Sequence, residues 1–241
     1  MSVSEEVKKE TTSLLVKCNA FLRADNFAMI SANIALKARN EKILSRTVAN
    51  EDIAHLMDTY NALSDDLKHS VINSVEAHFR GTLFVDLISS VEIYFANVIK
   101  IVVSENPQKL GSTEFKLNDI LDKSREELIS EAADKYVYKV MYKKAKEVLR
   151  ELCKTISIKE ERLEQFWSAF IESKARRDLG VHNNWLCNDT YIRKVQEAGL
   201  KPQVDVGSPL TPNEKGYTIS VVECIRGLAN AINDSVAEKY S

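Results

Sequence analysis

The chain has 241 residues, 44% hydrophobic and 28% charged, with a formal net charge of −2. That length suffices for one large domain or two small ones with a sizeable core. The near-neutral balance excludes a protein drawn to nucleic acid by its whole-molecule charge, so any polyanion contact has to be local.

Only seven glycines and four prolines occur, a scarcity of turn-formers that predicts long helices and few connections. The opening MSVSEEVKKE lacks the basic-then-apolar order of a signal peptide. Residues 4–62 read as several helices of modest amphipathicity. Ser64-Asp65-Asp66 is an N-cap followed by acids that suit a helix dipole. From there a helical pattern runs, with a possible break at Gly81, to Glu105, where Asn106-Pro107 ends it. Its stretch LFVDLISSVEIYFANVIKIVV is long enough to span a bilayer, but Asp86, Glu92, Asn97 and Lys100 interrupt it. A charge at mid-bilayer costs at least a few kcal/mol, so the stretch reads as a buried core helix and no membrane partner is expected.

A loop is expected near 107–118, then two or three helices over 119–155 and another from about 157 to 182. A short helix over 188–198 is led by Asn188 and Asp189 as caps. Residues 199–217 hold three of the four prolines and three of the seven glycines, the mark of a long irregular loop. The last helix, 218–239, places Val221, Val222, Ile225, Leu228, Ile232 and Val236 at helical spacing. No strand period or repeat is visible. The fold class is all-α, a helical bundle over 78–241 preceded by an N-terminal helical region, 1–77, of unassigned role. Cys18, Cys153, Cys187 and Cys224 are scattered and form no CxxC pair. That pattern speaks against a zinc site and suits a reducing cytosol.

The stretch RRDLGVHNN, 176–184, concentrates the chemistry. On a helix turning about 100° per residue, Arg177 falls into the apolar stripe of Leu163, Phe166, Trp167, Phe170 and Val181. Arg176 falls almost opposite and reads as an ordinary surface charge. A guanidinium cannot shed its charge, so an inward Arg177 needs an anionic or hydrogen-bonding partner. Glu92, in its apolar run, is costly to bury alone; it either pairs with Arg177, lines a cleft, or meets solvent or a lysine. His182 lies about 7.5 Å further along the axis and roughly 140° around it. The two side chains therefore diverge on one straight helix. They meet only if Gly180 loosens the helix or a second copy brings the pairs together.

Arg177-Asp178-Leu-Gly-Val-His182-Asn183 resembles the signature of the HEPN superfamily (higher eukaryotes and prokaryotes nucleotide-binding domain). That signature is an Arg followed by a polar residue and, four to six residues after the Arg, by a His and an Asn. The surroundings are similar too: the acid-bearing apolar helix 84–100 before it, and HNNW, a short helix, a Pro/Gly loop and a closing helix after it. The likeness covers roughly residues 78–240 and implies a metal-independent endoribonuclease acting on single-stranded RNA as a homodimer, without a cofactor. Its setting would be cytoplasmic, in antiviral defence, stress or a toxin–antitoxin pair with a cognate partner protein. It assigns His182 as general acid/base and Arg177 as phosphate stabiliser. Asp178 would orient His182 or Arg177, and Asn183 would fix backbone or RNA. The alternative is a non-catalytic HEPN dimer that binds a nucleotide or a partner protein.

Cations recur at Lys135, Lys139, Lys143, Lys146, Arg150 and Lys154, on one side of a helix if 131–154 is continuous. They are either a local RNA footprint or a solvated helix face. Tyr136, Tyr138 and Tyr142 spread around the same helix, as core or surface filler or as stacking groups for bases. His55, His69 and His78 have no partners at ligand spacing.

Overall fold

The computed structural model describes residues 2–40, 62–111, 115 and 120–240. Among them seven α-helices form and no strand; one isolated bridge pairs Leu186 with Pro209. The helices are α1 (Val3–Asn40), α2 (Asp65–Glu105), α3 (Arg125–Met141), α4 (Ala145–Ile156), α5 (Glu161–His182), α6 (Asp189–Glu197) and α7 (Tyr217–Tyr240). A 3-10 turn at Pro107–Leu110 follows α2.

Local chemistry sets most of the ends. Ser64 caps α2 by accepting the Leu67 N–H, and Asn106 closes it ahead of Pro107. Ser124 and Glu127 make a reciprocal capping box at the start of α3. Asn188 caps α6 by accepting the Tyr191 N–H, so Asp189 is the first helical residue rather than the cap.

Of the several helices expected over 4–62, residues 3–40 form one, and 41–61 lie outside the described residues. α1 packs along α2 and α7, and Val7, Leu14, Cys18 and Phe21 join the same core as Phe84, Phe95, Leu163 and Ile232. The boundary expected near residue 77 falls inside α2, which runs unbroken through Gly81. The described residues thus share one main core. The apolar stretch of α2 is the one described helix segment long and apolar enough to cross a membrane, and 56% of that window is buried in the bundle. Asn97 donates to Glu10 of α1, and Lys100 donates to Asp134 of α3. All six apolar positions expected on α7 are buried.

A buried polar link crosses α1, α2 and α7. Arg80 donates through Nε to Asp25 Oδ1 at 2.6 Å and through its second amino nitrogen to Oδ2 at 3.3 Å; Thr218 Oγ1 donates to Oδ2 at 3.2 Å. The Asp25 and Arg80 side chains are 3% and 6% exposed.

All four cysteines are free and buried. Burial pushes the Cys18 and Cys224 thiols up to about 11 and Cys153 up to about 12, from an ordinary 9.0. The thiolate is the reactive form, so an aromatic disulfide reagent at pH 8 should leave all four thiols unmodified until the protein is unfolded. These raised values also carry a sign for stability. The native state holds protons that the unfolded chain releases, so the contribution is whole below pH 9 and falls away as pH climbs through 11 to 12.

Candidate active site

α5 carries the motif and continues without a break to His182. Gly180 does not loosen it. Its backbone faces the indole of Trp185, and a Cβ at position 180 would stand 2.4 Å from that ring; a Cβ at Gly81 of α2 would stand 3.0 Å from it. Both glycines leave room for one tryptophan, which also packs beside Phe84 with ring centroids 6.2 Å apart. The chain reverses at Asn184 and Trp185, with φ of 48° and 60°. This left-handed backbone suits Asn, while for a bulky residue it costs on the order of 1–3 kcal/mol. Packing of the half-buried indole on Gly81, Gly180 and Phe84 offsets that strain. Leu179 O accepts from both Asn183 N at 2.8 Å and Trp185 N at 3.1 Å, and Asn183 Nδ2 donates to Leu186 O at 2.6 Å. Asn183 therefore closes the helix end that presents His182. Gly180→Ala should lower the unfolding free energy by about 1–3 kcal/mol, the usual range for overpacking, as read from denaturant melts.

Both arginines turn inward, Arg177 as expected and Arg176 against expectation. Arg176 is no surface charge: its side chain is 8% exposed. Its Nε donates to Glu172 at 2.9 Å, and one amino nitrogen donates to Thr211 O at 3.2 Å and lies 3.1 Å from Glu214. The guanidinium covers the Tyr217 ring at 3.7 Å. Tyr191 and Tyr217 hydroxyls each donate to Glu172 at 2.7 Å. Burial first, and the Glu172 carboxylate second, push both phenols above their ordinary range. This hub fastens α5 to α6, α7 and the 199–216 loop. Helical spacing shows only the Glu172 contact; Thr211, Glu214 and Tyr217 come from 35 or more residues downstream. The helical angle put Arg176 opposite the main core, but a second small core of Ala175, Leu179, Cys187, Tyr191, Val195 and Leu210 lies on that side.

Arg177 is largely inward, with its side chain 15% exposed. Its anionic partner is Glu92 of α2, which accepts from Arg177 on one oxygen and from Lys174 on the other. The other amino nitrogen of Arg177 has only a long 3.4 Å contact to Ser89 Oγ. Nε lies 3.2 Å from Asp178 Oδ1, but the angle makes no hydrogen bond and leaves this buried donor unsatisfied. Asp178 Oδ2 accepts from Lys194 of α6 at 2.8 Å. The result is an alternating chain, Lys174–Glu92–Arg177–Asp178–Lys194, running from α2 across α5 to α6. Lys174 and Lys194 carried no signal in the motif; only the packing of α6 on α5 brings Lys194 there.

His182 is exposed at the end of α5, and none of the contacts of Arg177 is to it. The expected divergence on one helix holds. Val181, expected in the buried stripe, is 50% exposed, and Ile93, beside Glu92, is 56% exposed. The motif thus sits among apolar side chains open to solvent.

The cationic stripe expected over 131–154 is broken, because α3 ends at Met141 and α4 begins at Ala145. Lys139 lies on α3, Lys146 and Arg150 on α4, all exposed, and Lys143 in the connection pairs with Glu151. Tyr138 and Tyr142 are exposed and stack on each other at 4.4 Å, while Tyr136 is half-buried against Thr155. His69 and His78 are exposed, and His55 lies outside the described residues. Among the described residues no group of three or more His, Cys, Asp or Glu side chains is placed to hold a metal ion.

Comparison with family models, with curated proteins and with solved structures finds no match to this chain.

Proposed function

We propose that this chain is an endoribonuclease of the HEPN kind that cuts single-stranded RNA as a homodimer, in a defence, toxin or stress role. One observation carries the reading. Arg177 is held by a carboxylate on the inner side of α5, while His182 stands open to solvent at the end of the same helix. The motif residues are thereby sorted into a fixed cation and an accessible imidazole.

RNA supplies its own nucleophile. An imidazole removes the 2′-hydroxyl proton, the 2′-oxygen bonds to phosphorus, and the bond from phosphorus to the 5′-oxygen breaks. The leaving 5′-oxygen takes up a proton. Imidazole suits both proton transfers because its unperturbed pKa is about 6.5. A guanidinium suits the charge that builds on the phosphorane oxygens. Residues five apart on a straight helix lie roughly 140° apart around it, so a two-fold pairing that joins Arg177 of one copy to His182 of the other is the simplest complete site. One His182 then serves each site, taking the 2′-hydroxyl proton as base and passing it to the leaving 5′-oxygen as acid. Exposed Val181 and Ile93 offer apolar surface for such a pairing.

A second reading draws on the acids around Arg177. Both acids contact its guanidinium and compete with a phosphate for it, which suits a non-catalytic dimer that binds a nucleotide or partner protein. Incubation of the purified protein with single-stranded RNA in excess EDTA separates the two. The ribonuclease reading expects fragments with 2′,3′-cyclic phosphate and 5′-hydroxyl ends; intact RNA leaves the binding module.

A further inference from the structure

On one side the bundle ends at the level of Asp25 and Arg80. Thr218, which also bonds Asp25, is the second residue of α7. The main core reaches no further than Leu22 on α1 and Leu83 on α2. Beyond that level lie residues 26–40 of α1 and 65–79 of α2. The contacts Thr11–Tyr94, Lys17–Ser90 and Asp25–Arg80 make the two helices antiparallel. Their outer stretches form a two-helix arm about 22 Å long.

The arm is apolar on one side. Phe27, Ile30 and Ile34 of α1 and Leu67, Val71, Val75 and Phe79 of α2 are between 41% and 68% exposed. Each stands one residue before a more buried neighbour: Phe27 before Ala28, Ile34 before Ala35, Val71 before Ile72, Val75 before Glu76 and Phe79 before Arg80. One residue is about 100° of helix. On antiparallel helices an equal turn of the same sense leads to the same side of the pair. A surface helix ordinarily turns polar groups away from the core. Apolar residues scattered singly on a surface need no partner, but a continuous apolar face marks an interaction site.

Charge selects the occupant. Residues 26–36 and 69–75 contain no Asp, Glu, Lys or Arg, so two copies of the face meet without like charges between them. Between Thr11 and Asn40 the one acid is the buried Asp25, whereas α2 opens on Asp65 and Asp66. Those two acids at the tip disfavour an anionic lipid surface. A two-fold axis along the arm lays α1 on the partner's α2. It sets Phe27 against the partner's Phe79 and Ile34 against the partner's Val71, and it brings the Lys37 end of α1 to the acidic start of the partner's α2. Such a contact uses the same patch on both copies and closes on itself.

We propose that two copies of the chain pair through this arm, α1 and α2 of each completing an antiparallel four-helix bundle. The proposal does not rest on the ribonuclease reading. Gly81 faces Trp185 at the end of α5, and Phe79 lies about 160° around α2 from Gly81, on the side away from the motif. Where the motif pairing forms as well, the assembly is a tetramer.

The test is oxidative cross-linking of the full chain, read as a two-chain band on a denaturing gel, beside sedimentation velocity. The four native thiols are buried and should not contribute. Co-expressed Phe27→Cys and Phe79→Cys chains should cross-link at least fivefold more than either variant alone, because the pairing opposes 27 to 79 and not to itself. Phe27→Glu combined with Val75→Glu should halve the sedimenting mass at an unchanged far-ultraviolet dichroism spectrum; should that variant fail to fold, the cysteine pair still decides. Val181→Glu, on the surface assigned to the motif pairing, should leave the cross-link in place, so the two readings can fail separately. A single-chain mass over a hundredfold range of concentration would overturn the proposal, whether the arm then stays bare or binds phosphatidylglycerol vesicles. So would a mass indifferent to the paired Glu substitutions, or no excess of cross-linking in the co-expressed chains.

Discussion

His182→Ala should lower RNA cleavage by about 10²–10⁴-fold, the usual contribution of a positioned general acid or base. Its fold should remain intact. The ring is exposed and makes none of the contacts that close α5, which run through the backbone of Leu179, Asn183 and Trp185 and through the Asn183 amide. Stability and oligomeric state should therefore match the unmodified protein. This separation makes the variant informative, because a lost activity cannot be traced to a lost fold. Arg177→Ala differs. It leaves Glu92 with Lys174 alone on the inner side of α5, so its activity has to be read beside a melting curve. Cleavage by His182→Ala at the unmodified rate would remove the imidazole from the mechanism.

Asp25→Ala should cost about 3–5 kcal/mol of stability, because it strands a buried guanidinium. Arg80 is 6% exposed, and its remaining acid is Glu76, one turn earlier on α2, at 3.3 Å. Thr218 loses its acceptor at the same time. A denaturant titration reads the cost directly. The paired replacement of Asp25 by Leu and Arg80 by Met should recover most of the loss, since a buried ion pair exchanged for apolar groups of similar volume is often neutral or stabilising. A small effect of Asp25→Ala would mean that α1 leaves the bundle locally and lets water reach Arg80. That result would contradict the placement of α1 as a full member of the core.

Period and punctuation made much of the scaffold legible. The six apolar positions of α7, the Ser64 cap and the Asn106-Pro107 stop all follow from local chemistry that a single chain displays. Glu92 stood out in the sequence for a physical reason, a charge inside an apolar run, and it is the residue that holds Arg177. What stayed hidden is tertiary. A helical wheel shows one core and so places Arg176 on the surface, whereas α5 serves two, the second completed by Cys187, by Tyr191 and Val195 of α6 and by Leu210. Gly180 looked like a weak point in a helix and is instead the seat of an indole five residues on. The cationic stripe required a helix to continue through Tyr142-Lys143-Lys144, where α3 stops and α4 starts. Periodicity cannot detect a break at which the chain merely changes direction between two amphipathic helices.

The account rests on Arg177 and His182 serving one RNA phosphate from two copies of the chain. Mixing separately purified Arg177→Ala and His182→Ala proteins, under conditions that allow subunits to exchange, tests this most directly. Each mixed dimer would then carry one site with both residues intact, and cleavage in EDTA should return to about a quarter of the unmodified rate from mass action among equal subunits. Two inactive proteins that stay inactive after verified exchange, beside an active unmodified protein, would contradict the shared site.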